Sequence, residues 1–278
     1  MAAISPKSAV VDKFRWSHSS SFILSLTLTI ITLVIIVWWP LVEDYIQYFN
    51  PEYPIWMQID WLLVGIFLVM SILITVGADV RKDALLIAVS FVGGYLIESW
   101  GTHTGLWSYY TGEKPPLWII PAWPIATLAI ERLERILEIA ADKIPDPWIK
   151  WIYRLVFPGF LLYMLVFVYP TISKPFTILA IIGVILVIRF PGNRRYALLI
   201  FSAGAALGIF LEYWGTTREC WTYYTLQKPP FFAILAHGLA SAAFWRVTKL
   251  VEPTLKRIIQ PVRTLFSNRL PMSDVSEE

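Results

Sequence analysis

Eight runs of fourteen to nineteen residues, almost free of charge, constrain this fold more than any other feature of the sequence. They are Phe22–Pro40, Trp61–Ala78, Ala84–Trp100, Leu117–Ile130, Tyr153–Pro170, Pro175–Ile188, Tyr196–Trp214 and Phe231–Trp245. A helix needs about 20 apolar residues to cross a hydrocarbon core of roughly 30 Å, so these runs predict an all-α, polytopic membrane protein with eight transmembrane helices. Composition agrees: 57% of the chain is apolar and 15% charged, where soluble domains average about 25% charged. No small-residue cleavage pattern follows the first run, which therefore reads as a retained span and not a signal peptide.

Charge places the ends. Lys7, Lys13 and Arg15, then Arg81 and Lys82, then Arg132, Arg135, Lys143 and Lys150, then Arg189, Arg194 and Arg195, and finally the basic tail from Arg246 onward fall in alternate connections. The intervening connections hold few cations. Because positive loops stay inside, both termini are expected in the cytoplasm of a protein integral to the cell membrane. The divisions that follow are a cytoplasmic segment over 1–21, a first four-span unit over 22–144, a second over 145–250 and a cytoplasmic tail over 251–278. In that tail Leu255, Ile258, Ile259, Val262 and Phe266 among basic residues suggest an interfacial amphipathic segment, with disorder from Met272 to Glu278.

A net charge of +3 excludes a nucleic-acid partner. Cys220 is the lone cysteine and His18, His103 and His237 are the only histidines, so neither a disulfide nor a metal or other cofactor is expected.

The chemistry lies in a duplication. Shifted by 114 residues, Glu98–Pro116 aligns with Glu212–Pro230, and 11 of the 19 positions are identical, where chance gives about one. Arg81 pairs with Arg195, Gly94 with Gly208, Arg132 with Arg246 and Glu138 with Glu252. Copies an even number of spans apart share an orientation, so the halves are read as parallel repeats about an axis along the membrane normal, with both motif loops extracytoplasmic.

At 1.5 Å per residue, Glu98 and Glu212 fall roughly 22 and 25 Å along their helices from the cytoplasmic ends, inside the apolar zone. A carboxyl there faces the bundle interior, is protonated, or meets a cation; the plainer alternative is a tether to a Trp or Tyr of its own loop. Trp100, Trp107, Tyr109, Tyr110 and Trp118, with Trp214, Trp221, Tyr223, Tyr224 and Phe231, occupy the level of an aromatic belt, yet a belt does not demand the same spacing twice. Gly101 and Gly215 suggest turns that a side chain would obstruct. Lys-Pro-Pro is expected to start the next span, and Pro121 and Pro124 to kink span four beside Trp123. His237 takes the matching place in the second copy and reads equally as a core histidine. A fixed cation separates the copies near the carboxyls: Arg218 follows Glu212, whereas Thr104 stands at the equivalent place after Glu98. On that basis Arg218 keeps Glu212 ionised and Glu98 stays neutral, an acid and base pair; alternatively Arg218 pairs with Glu219 or a lipid phosphate at the surface.

The string Glu98, Gly101, Thr102, Thr104, Gly105, Trp107, Tyr109, Tyr110 and Thr111, followed by Pro121-Ala122-Trp123, resembles the integral-membrane carotenoid biosynthesis family that includes the bisanhydrobacterioruberin hydratases. The likeness covers Gly94–Pro124, and in the second half the skeleton Glu212, Gly215, Tyr223 and Tyr224. It implies addition of water to an isoprenoid C=C bond, with Glu98, Glu212 and Arg218 catalytic. Trp100, Trp107, Tyr109, Tyr110, Trp123, Trp214, Trp221, Tyr223, Tyr224 and His237 would then hold a substrate entering from the bilayer, aromatic faces stabilising the carbocation. Two other classes remain open on the sequence: a proton-coupled transporter, and a non-enzymatic lipid-binding or assembly protein.

Overall fold

The computed structural model describes residues 16–267. Lys7, Lys13 and Arg15, the side chains of Ile259, Val262 and Phe266, and the whole of Met272–Glu278 lie outside the described residues.

Helix α1 (His18–Val37) starts on a reciprocal cap in which Ser17 accepts from the Ser20 amide and Ser20 from that of Ser17, satisfying N–H groups that have no partner within the helix. After Trp38 the chain restarts as α2 (Trp39–Gln47), with Pro40 in the first turn where its missing N–H is harmless. A short α3 (Ile55–Gln58) leads to α4 (Trp61–Thr75), capped by Asp60, whose carboxylate accepts the Leu63 amide at 3.2 Å. Helix α5 (Val80–Thr104) carries the first motif, strand β1 (Trp107–Tyr109) follows, and α6 (Ala122–Ala141) closes the first half. The second half runs α7 (Asp146–Phe167), α8 (Pro175–Arg189), α9 (Arg194–Thr217), β2 (Trp221–Tyr223) and α10 (Phe231–Ser267).

Five helices, α1, α5, α7, α9 and α10, are long and apolar enough to cross a membrane; α4 and α8 are apolar but have 15 residues each. The expected fourth span differs most. Residues 117–121 are turns, and α6 is apolar only from Ala122 to Ile130 before Glu131, Arg132, Glu134 and Arg135. Pro121 is the N-cap and Pro124 lies in the first turn. Both prolines therefore sit where no helical N–H is lost, so they start the helix and do not kink it. The Lys-Pro-Pro stretch precedes α10 directly but stands five residues short of α6. The amphipathic residues of the tail extend the last helix: α10 continues unbroken through Val251 to Ser267, with Leu255 and Ile258 exposed.

The centre is formed by α5, α6, α9 and α10, with α9 packed along α10 and against α6. Small residues permit that approach. A Cβ on Gly238 would lie 2.3 Å from the Phe201 carbonyl oxygen, and one on Gly204 would lie 2.7 Å from Gly238 Cα; without a hydrophobic force between helices in lipid, such close backbone contact supplies the packing energy. Toward the charged end of α6, Arg132 is 4% exposed and meets Asp83 of α5 at 2.5 Å as well as its neighbour Glu131, so its charge is matched where water is excluded.

Candidate functional site: two buried carboxyls under a paired loop

The two motif loops bind each other. Strands β1 and β2 pair antiparallel with Ser108 opposite Thr222, Trp107 opposite Tyr223 and Tyr109 opposite Trp221. Ser108 and Thr222 are the same position of the two copies, so the centre of the ladder relates one loop to the other by a half-turn. The flanking bonds match: the Tyr110 amide donates to the Cys220 carbonyl at 3.2 Å and the Tyr224 amide to the Leu106 carbonyl at 3.0 Å. Gly105 and Gly112 take positive φ of 79° and 72°, and their counterparts Glu219 and Leu226 take 56° and 58° despite their side chains. The backbone path is thus retained where its glycines are not, at a cost of about 1–2 kcal/mol per position.

Beneath this lid, Glu98 and Glu212 are 3% and 5% exposed. Trp107 Nε1 donates to Glu98 Oε2 at 3.0 Å and Trp123 Nε1 to Oε1 at 3.1 Å. In the second copy Trp221 Nε1 donates to Glu212 Oε2 at 3.0 Å, and His237 Nε2 lies 2.9 Å from Oε1. Tyr223 adds its hydroxyl to Glu212 Oε2 at 3.0 Å. Each carboxyl is therefore gripped by its own loop and by the following helix, and the copies diverge in that Trp123 corresponds to His237. Those two rings stack at 5.7 Å with 21° between planes, joining the two carboxyl sites through aromatic contact.

Gly101 and Gly215 serve this grip and make no turn. Both lie inside their helices, with the indoles of Trp107 and Trp221 directly over them; a Cβ would stand 1.9 and 2.0 Å from those rings. Only hydrogen at these positions lets the indole N–H reach the carboxylate three residues earlier.

Arg218 is elsewhere. Its Nε donates to Asp60 Oδ2 at 3.0 Å, and the same oxygen accepts Trp214 Nε1 at 2.8 Å. The equivalent of Asp60 in the second half is Lys174, whose Nζ donates to the carbonyl of Thr104, the counterpart of Arg218, at 2.6 Å. The N-cap residue of α4 in the first half and of α8 in the second thus clamps the motif helix of the other half, with polarity exchanged. The extra cation of the second copy belongs to this clamp, which corrects the assignment of Arg218 to Glu212.

Two further expectations change. Tyr110 donates its hydroxyl to the Val37 carbonyl at the end of α1, and Tyr224 donates to the Phe167 carbonyl at the end of α7 at 2.6 Å. They are matching struts that tie the loops to outer helices, and neither lines the central cavity. The other expected residues converge: Glu98, Trp100, Trp107, Tyr109, Trp123, Glu212, Trp214, Trp221, Tyr223 and His237 all line one cavity of about 840 Å³. Trp100 leans edge-on against Trp107 at 5.7 Å and donates to Thr177 at 3.1 Å. Trp38 was not anticipated. It stacks on Trp214 at 4.7 Å and, edge-on, against Trp118 at 5.9 Å; its place at the end of the first apolar run was the only sequence signal. Among the described residues, no group of three His, Cys, Asp or Glu side chains converges to hold a metal ion.

Compared with protein-family models, curated proteins and solved structures, this chain matches none.

Proposed function

We propose that this protein is a membrane-embedded enzyme that adds water to a C=C bond of an isoprenoid lipid, with Glu98 and Glu212 as proton donor and acceptor. The observation that carries this reading is the meeting of two buried carboxyls and several aromatic faces at one largely apolar cavity. A trisubstituted alkene needs a proton from a neutral acid in a dry site. The cation so formed has no hydrogen-bonding handle, and aromatic faces such as those of Trp107, Tyr109 and Trp123 are its best partners.

In the proposed step Glu98 gives its proton to one alkene carbon, and the π pair becomes the new C–H bond. Water attacks the tertiary cation at the other carbon and its surplus proton passes to the Glu212 carboxylate. Return of that proton to Glu98 closes the cycle, and the net change is the alkene plus one water. Glu212 suits the acceptor role because three side chains, Trp221, Tyr223 and His237, surround it. The difference between the two carboxyl sites lies at His237, which contacts Glu212 where Trp123 contacts Glu98.

This reading includes eight spans in two parallel four-helix units, α6 being a short fourth span, with both termini cytoplasmic and the paired loops outside. The matched clamps, struts and strand register support the duplication, and the cation distribution supports the orientation. Lipid and pigment extracts of cells with and without the protein test the function: an isoprenoid heavier by one water only when the protein is present supports it. Proton-coupled solute flux in proteoliposomes, with no altered lipid, would favour a transporter instead.

A further inference from the structure

The cavity ends on an unmatched cation. It extends from the carboxyls between α5, α8 and α10 as far as Phe190, Arg246 and Leu250. From His237 to Arg246 is nine residues of α10, roughly 14 Å along the axis. Arg246 is the counterpart of Arg132, and the two contrast sharply. Arg132 is paired with Asp83 and Glu131; the residues at those places in the second half are Ala197 and Trp245. The nearby acid on α10, Glu252, is held by Lys249 and Lys256. Arg246 gives its Nε to the Phe190 carbonyl at 2.7 Å and makes no ion pair among the described residues. The second half has kept the cation and dropped both of its anions.

The wall leading there is loosely built. Of α8 only Thr177 is buried, whereas its counterpart α4 buries Ile66, Met70, Ile74 and Thr75. Added to Gly183, on the cavity side of α8, a Cβ would meet nothing within 4 Å. Ala180, Gly183, Val184 and Val187 line the cavity on this side, so a chain can lie along α8 there.

We propose that Arg246 binds the phosphate of a single-chain isoprenoid phosphate whose tail fills this cavity and presents its far end to Glu98 and Glu212. This rests on the isoprenoid reading above and narrows it from neutral polyenes to anionic amphiphiles. The guanidinium retains donors beyond Nε for phosphate oxygens, and a charge-assisted bond at the edge of an apolar site is among the stronger recognition elements a protein has.

The test is binding of labelled geranylgeranyl phosphate, geranylgeraniol and inorganic phosphate to the full-length protein in phosphatidylcholine nanodiscs. The expected result is tight binding of the lipid phosphate, weakened about tenfold or more in Arg246→Gln, while geranylgeraniol binds both proteins alike. Unchanged geranylgeraniol binding guards against misfolding, and Arg246→Lys, which keeps the cation but loses the planar fork, should weaken the lipid phosphate less than Arg246→Gln does. Equal binding of phosphate and alcohol to native and variant proteins would overturn the headgroup site, leaving Arg246 as a cap for Phe190. Binding of inorganic phosphate as tightly as the lipid would overturn the lipid source. If the lipid phosphate binds through Arg246 yet no hydrated product forms, the headgroup site stands and the hydratase reading falls; if geranylgeraniol is hydrated regardless of Arg246, the reverse holds.

Discussion

Replacing Gly101 with alanine should loosen the whole site, because the new methyl would lie 1.9 Å from the Trp107 ring. The neighbour cannot yield cheaply: Trp107 is 8% exposed, lies edge-on to Trp100 at 5.7 Å, faces Tyr223 at 5.9 Å and donates to Glu98. Overpacking costs about 1–3 kcal/mol, and a displaced indole leaves a buried carboxyl short of a donor for about 1–3 kcal/mol more. The sum, about 2–6 kcal/mol, is a large share of ordinary stability. Thermal unfolding in detergent, followed by tryptophan emission, reads it. Gly183→Ala is the control, since its Cβ meets nothing and alanine favours a helix by up to about 1 kcal/mol. If Gly101→Ala unfolds at the native temperature with unchanged emission, the indole-over-glycine grip is not what holds Glu98.

Four further outcomes are expected. Arg218→Gln should leave the pH profile of activity unmoved and cost at most about 1 kcal/mol, because the guanidinium serves a partly exposed pair with Asp60; a shifted optimum would return Arg218 to Glu212. His237→Trp, which makes the second carboxyl site copy the first, should keep the fold and abolish turnover, so an active variant would remove His237 from the mechanism. Glu219→Gly and Leu226→Gly should each stabilise by about 1 kcal/mol, as measured by thermal unfolding, through relief of positive φ. Burial pushes the Cys220 thiol up to about 12, so thiol reagents at neutral pH should miss native Cys220; cysteines introduced at Ser108 and Lys143 should then label cleanly, from opposite membrane faces.

What the sequence made legible was set by repetition. A carboxyl, a glycine and a tryptophan recurring at fixed spacing identified Glu98, Gly101 and Trp107 with their counterparts, and those side chains do meet, because their contacts lie within about two helical turns and one short loop. The partners that escaped are remote in sequence. Asp60 meets Arg218 across 158 residues, so a local reading offers the cation only Glu212, six positions away, or the adjacent Glu219. Tyr110 and Tyr224 looked identical to their neighbours Tyr109 and Tyr223, but strand pleating turns adjacent residues to opposite sides, and one of each pair became a strut. Gly101 and Gly215 matter for their lack of a side chain, as their spacing implies, but they make room for an indole and not for a turn. The length of α6 was hidden because its apolar residues continue a run that begins in a loop.

Incubating the purified protein with an isoprenoid in heavy-oxygen water, and following label into a tertiary alcohol by mass spectrometry, bears most directly on the central claim. The native protein should incorporate label, and Glu98→Gln, which keeps the shape but cannot donate an acid proton, should lower the rate by about 10² to 10⁴ while remaining folded. Label incorporated equally by native protein and Glu98→Gln, or by neither from any isoprenoid offered, would contradict a carboxylic-acid hydratase.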